Sequence, residues 1–112
     1  MNEKKNILVI IASGERQKVL AAMMYARNTA NYGWLGDVKV MFFGPSENLL
    51  IEDQEVGLEA QNLANIMEPI ACRFLADRDE ISSDIEELGV KVDYVGTIIA
   101  DLINSGYIPM VW

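Results

Sequence analysis

The chain reads as a single α/β domain with a largely parallel sheet, and two observations predict this. Five short apolar runs alternate with segments whose apolar residues recur at helical spacing, the pattern of strand–helix–strand units. The first run, Asn6 to Ala12, is apolar at successive positions, as a central strand covered on both faces must be.

Asn6 to Ala12 is the first strand, and Ser13-Gly14 turns the chain. A helix follows from about Glu15 to Tyr32, with Val19, Met23, Ala26 and Ala30 as its apolar stripe and Gly33 placed to terminate it. Val38 to Phe43 is the second strand, closed by Gly44-Pro45-Ser46. Glu47 to Asp53 fits neither period cleanly. A second helix is expected from about Gln54 to Met67, presenting Val56, Ala60, Leu63 and Met67, and Pro69 stops it. Ile70 to Leu75 is the third strand. A helical segment lies within Asp77 to Leu88, with Ser83 to Glu86 as a capping box, and Gly89 ends it. Val90 to Val95 is the fourth strand. Thr97 is placed to cap a last helix carrying Ile98, Ile99, Leu102 and Ile103, which Gly106 ends. Tyr107 to Trp112 is the final strand, and Pro109 puts it at a sheet edge because proline has no N–H for the ladder.

Composition narrows the function. With 112 residues the chain is one domain, 1–112. Its net charge of −8 argues against nucleic acid, whose phosphates need a basic stripe, and against anionic membranes. The run Ile7 to Ala12 is too short for a signal peptide and nothing approaches a membrane span, so a cytoplasmic protein is expected. There is no histidine, and Cys72 is the single cysteine. An intrachain disulfide and a cysteine-built structural zinc site are therefore impossible. No metal and no cofactor is expected: Asp77, Asp79 and Glu80 match no calcium loop. The acidic stretches Glu47 to Glu55 and Asp77 to Glu87 read as loops and helix starts, where carboxylates favour the helix dipole.

Cys72 is the best candidate for covalent chemistry. A thiolate is the nucleophile, and nearby positive charge, here Arg73 and Arg78, would favour it. Buried cysteine also packs as a small hydrophobe, and that reading stands beside the first. Ser13-Gly14, between the first strand and the first helix, offers backbone N–H groups to an anion, or is an ordinary turn; it lacks the G-x-G-x-x-G and Walker sequences. Gly44-Pro45-Ser46 lies at a strand's carboxyl end, where it would line a pocket near Cys72 if the second and third strands are neighbours. Plain turn chemistry explains it equally. Trp34 and Trp112 read either as oligomer anchors or as caps on the core.

Three stretches carry a resemblance: Val40-Met41-Phe42-Phe43-Gly44-Pro45; Ile70-Ala71-Cys72-Arg73-Phe74-Leu75-Ala76-Asp77-Arg78; and Leu88 to Gly96 followed by Leu102 to Met110. With the order of elements, they resemble the DsrE/DsrF-like family, which includes the TusD-type sulfur-relay subunits. The resemblance implies a three-layer α/β/α sandwich around a five-stranded sheet in the order 4-3-2-1-5. It implies homotrimers or hexamers, alone or with sister subunits. The implied activity is sulfur transfer between a protein donor and a protein acceptor through a persulfide on Cys72, with Arg73 stabilising the thiolate and Arg78 assisting or docking a partner. The alternatives are a non-catalytic assembly subunit with Cys72 in its core, and a small-molecule-binding module using the Ser13 and Gly44 loops.

Overall fold

A computed structural model describes residues 3–112 of the chain. Its elements are β1 (Ile7–Ile11), α1 (Arg16–Tyr32), β2 (Val38–Phe42), α2 (Pro45–Glu52), α3 (Gln54–Ala64), β3 (Ile70–Cys72), α4 (Arg73–Arg78), α5 (Ser82–Glu87), β4 (Lys91–Asp93), α6 (Val95–Asn104) and β5 (Ile108–Val111). The five strands form one sheet in the order β4-β3-β2-β1-β5, and every pairing is parallel. The expected three-layer sandwich and strand order are those observed.

Connectivity distributes the helices. From β1 to β4 the chain steps in one direction across the sheet, and right-handed crossovers place the intervening helices on one face, here called the front. The step from β4 to β5 runs back across the whole sheet, so α6 lies behind it. The packing follows. Ile7, Val9 and Ile11 of β1 point forward into the main core with Val19, Met23, Leu50, Val56, Leu63 and Ile85. Leu8 points back, into a smaller core with Met41, Cys72 and Val95.

β5 is an edge strand beside β1, with Pro109 opposite Leu8. The N–H groups of Ile108 and Trp112 donate to Asn6 and Ile10 (2.9 and 2.8 Å). Pro109 is out of step with them, so its missing N–H faces the open edge, where it costs no ladder bond. The helix α1 keeps the expected limits, with Glu15 at its N-cap and Gly33 at its end in the left-handed region. Its inward stripe runs through Val19, Met23, Ala26 and Thr29, and Ala30 is exposed.

Four sequence expectations need correction. The third strand stops at Cys72, because β4 supplies ladder partners only as far as Asp93; Arg73 to Arg78, containing the helix formers Arg, Leu and Ala, then winds into α4. The fourth strand is Lys91–Asp93, and α6 begins at Val95 with Tyr94, not Thr97, at its N-cap. Ser83 forms no capping box: α5 starts at Ser82 behind Ile81, without a side-chain cap. The unassigned stretch after Ser46 belongs to helix α2, and Glu47 within it is buried. No helix among the described residues is long and apolar enough to cross a membrane.

Candidate functional site

The loops at the carboxyl ends of β1, β2 and β3 bring the expected residues to one end of the sheet. Because β2 lies between β1 and β3, the Ser13-Gly14 turn, the Gly44-Ser46 turn and Cys72 are successive along that end. The first two touch: a Cβ on Gly14 would sit 3.0 Å from the Pro45 Cβ.

At both turns several of the N–H groups are already bonded within the chain. The Glu15 carboxylate accepts the N–H groups of Gln17 and Lys18 (both 3.0 Å), and Ser13 Oγ accepts that of Glu15 (2.9 Å). The N–H groups of Ala12 and Ser13 donate to the Trp112 carbonyl (2.8 and 3.2 Å). At the second turn Gly44, at φ +85°, donates its N–H to Glu47 Oε1 (3.0 Å), while the Glu47 N–H donates to the Gly44 carbonyl (2.9 Å). This is the reciprocal bonding of a capping box, with a backbone carbonyl in place of the usual serine hydroxyl. Ser46 is fully buried, and its hydroxyl donates to the Ile11 carbonyl (2.5 Å), fixing α2 to the end of β1. Ser13, Gly44 and Ser46 thus take part in internal capping and tethering, and Gly14 lies against Pro45.

Cys72 is the last residue of β3 and the N-cap of α4. It points to the back face, is 6 % exposed, and packs with Leu8, Met41 and Val95. The expected cations are engaged elsewhere. Arg73 donates to the Val92 carbonyl (2.6 Å), which ties α4 to β4. Arg78 pairs with Asp79 (3.1 Å). Cys72 is register partner to Asp93 on β4, so the neighbouring strand sets a carboxylate on the same face.

The sequence reading missed Glu47. It is 1 % exposed, and its Oε2 is buried without a hydrogen-bond partner. Burial pushes its carboxyl up to about 7, against the pull of the Gly44 N–H. Asp79 adds to the rise and Arg78 opposes it. The available signal was Gly44-Pro45-Ser46-Glu47, a turn followed by glutamate at the third helical position.

Trp112 packs against the main core, in contact with Tyr25 (ring centroids 6.4 Å apart), whereas Trp34 stacks on Tyr32 at the surface (5.4 Å). No protein-family model and no curated protein matches the chain. Among solved structures it is similar to a conserved protein of unknown function from Bacteroides thetaiotaomicron, with 24 % identity, a TM-score of 0.87, and coverage of 96 % of this chain and 95 % of that one. The likeness shows that the two share a fold.

Proposed function

We propose that this domain is an assembly subunit that associates with further copies of itself through the back of its sheet, with Cys72 serving as packing beneath that surface. One observation carries the reading: the back of the sheet is covered by the ten-residue helix α6 and by Leu75 of α4, and several apolar residues there stay open. On α6 only Val95 is fully buried; Ile98, Ile99 and Leu102 are half-buried and Ile103 is exposed. On the sheet, Val111 is 69 % exposed and stands beside Ile10, the pair in register on the same face. Phe43, in step with Met41 just past β2, is also exposed. Exposed apolar residues gathered on one face mark a protein contact when they join into a patch. Asp101 is the one charged residue of α6, so a second copy meets little like-charge repulsion there despite the net charge of −8. The sheet edges suit association less well: β4 has three residues and the open side of β5 carries Pro109. We place the protein in the cytoplasm, where a lone thiol stays reduced.

Sedimentation velocity tests this reading. The wild-type chain is expected to sediment as an oligomer, with trimer and hexamer the sizes implied by the DsrE/DsrF resemblance. Ile103→Lys is expected to shift it to monomer, and Cys72→Ser to leave it assembled. A wild-type chain that stays monomeric across the accessible concentration range refutes the reading.

The position of Cys72 at a carboxyl strand end favours a second reading, sulfur carriage. The Cys72 thiolate would attack the outer sulfur of a donor persulfide. The donor's S–S bond breaks, a new one forms on Cys72, and the donor leaves as a thiolate. An acceptor thiolate then attacks the outer sulfur and releases Cys72. Alkylation that stays fast well below the free-thiol pKa of ~8.5, with a mass gain of one sulfur on incubation with a persulfide donor, would support it. A thiol that labels only on unfolding would refute it.

A further inference from the structure

The turn that opens α2 lies at the surface, yet its glutamate does not. Gly44 is half-buried and Pro45 exposed, whereas Glu47, in the same helical turn, is 1 % exposed. Its Oε1 accepts the Gly44 N–H (3.0 Å), and its Oε2 is buried without a partner. A neutral carboxyl can sit there at the cost of an unmade hydrogen bond. A carboxylate would hold a full charge on a single N–H, and an ion taken out of water needs far more than that. The turn has room to yield: a Cβ on Gly44 would meet nothing nearer than the Ala12 carbonyl, 3.9 Å away. The chain beyond it is pinned. The Ser46 hydroxyl holds the Ile11 carbonyl, and Leu50 is buried in the main core.

We propose that Glu47 is a proton-operated latch on the Gly44 turn: protonated, it stays inside and holds the Gly44 N–H; ionised, it swings out to water and releases that N–H while Ser46, Leu50 and the rest of the fold stay in place. The surrounding charges do little to keep an ionised Glu47 inside. Those that act on it are Asp79 and Arg78 at the end of α4, which oppose each other and are paired (3.1 Å). The charged groups of the other helices packed on α2 are engaged or turned to solvent. Arg16 of α1 pairs with Asp53 and Glu55 at the far end of α2, and Arg27 of α1 with Glu59 of α3. Lys18 of α1, Asp84, Glu86 and Glu87 of α5, and Glu52 of α2 itself are exposed. Burial raises the Glu47 carboxyl to about 7, which sets the latch to work near neutrality. The end of the sheet where Gly14 lies against Pro45 then has one conformation below neutrality and a second, opened one above it.

Amide hydrogen exchange by NMR on the whole chain, from about pH 5 to pH 8 and in low urea, tests the latch. The Gly44 N–H is the reporter, because Glu47 alone bonds it. After correction for intrinsic exchange, its opening equilibrium is expected to rise on the order of 50- to 100-fold across that range and to level off above about pH 7, as the displacement from 4.5 to about 7 requires. This opening is expected to ignore urea, whereas that of the Val9 and Val40 amides in the sheet rises with urea, since only global unfolding exposes them. Glu47→Gln is expected to abolish the pH dependence at Gly44. The urea dependence of the wild-type chain decides the matter even if the variant does not fold. Gly44 opening that matches Val9 and Val40 in size and urea dependence overturns the proposal, because Glu47 would then leave only when the whole domain unfolds. So does a local opening that does not change with pH, or one that keeps its pH dependence in Glu47→Gln.

Discussion

Replacing Glu47 with glutamine removes the one buried carboxyl whose titration the fold displaces toward neutrality. The folded protein holds the Glu47 proton to about pH 7, against 4.5 for an unperturbed glutamate. Unfolding between those values therefore releases a proton, and stability falls as pH rises through the window. At about 1.4 kcal/mol per pH unit the full displacement is worth about 3 kcal/mol. Because the ionisation is spread over the window, about 2–3 kcal/mol of it falls between roughly pH 5 and pH 8. Glu47→Gln keeps the oxygen that accepts the Gly44 N–H and has no proton to lose. Its amide also leaves a buried N–H₂ unpartnered, a roughly constant cost of about 1–3 kcal/mol at every pH. The measurement is urea unfolding of both proteins from about pH 5 to pH 8, followed by the fluorescence of Trp34 and Trp112. The stability of the variant relative to wild type is expected to rise by about 2–3 kcal/mol across that range. The other carboxylates titrate in both proteins and cancel. A difference that stays constant with pH would refute the reasoning, because Glu47 would then be ionised or solvated equally in both states.

Two further substitutions test the packing at the same end of the sheet. Gly57→Ala is expected to lower stability by about 1–3 kcal/mol in urea unfolding: the new Cβ would lie 2.7 Å from the Leu50 carbonyl oxygen and push α3 from α2, which exceeds the helix-propensity gain of about 1 kcal/mol; stability at or above wild type would show that the helices part freely. Ser46→Ala is expected to cost about 1 kcal/mol, since the Ile11 carbonyl keeps its bond from the Phe43 N–H (3.0 Å) but loses the hydroxyl; an unchanged denaturation midpoint would show that the hydroxyl bond contributes nothing net.

The legible parts of the fold were those written in local pattern. Val19, Met23 and Ala26 on α1, and Val56, Ala60 and Leu63 on α3, recur at the helical period and are all buried. Gly33 ends α1 in the left-handed region, whereas α3 stops at Ala64, short of the Met67 limit and well before Pro69. The strand boundaries that failed share a cause. Arg73-Phe74-Leu75-Ala76 is compatible with strand or helix, and the choice fell to the short β4 ladder, which gives β3 nothing to pair with beyond Cys72. Glu47 followed a turn and opened an acidic stretch, so it read as part of a loop or helix start; the helix it caps lies against the core and carries it inside.

The site was legible as a location and not as a chemistry. Loops at the carboxyl ends of adjacent parallel strands must lie together, so Ser13, Gly44 and Cys72 were rightly placed at one end of the sheet. Their partners are a different matter. That Glu15 and Glu47 fill the helix N-termini beside them, and that Arg73 reaches Val92 instead of a thiolate, depends on rotamers and on neighbours distant in the chain.

The sequence by itself determined the class of fold, the position of β5 at an edge and the grouping of the loops. Each follows from the period of apolar residues or from the backbone chemistry of proline and glycine, which act over a few residues. Only the tertiary structure decided which way Cys72 faces and that Glu47 is buried. A strand apolar on both faces has no alternation to show direction. The burial of a carboxylate depends on which helix crosses which face, and here the order in which the chain visits the strands set that.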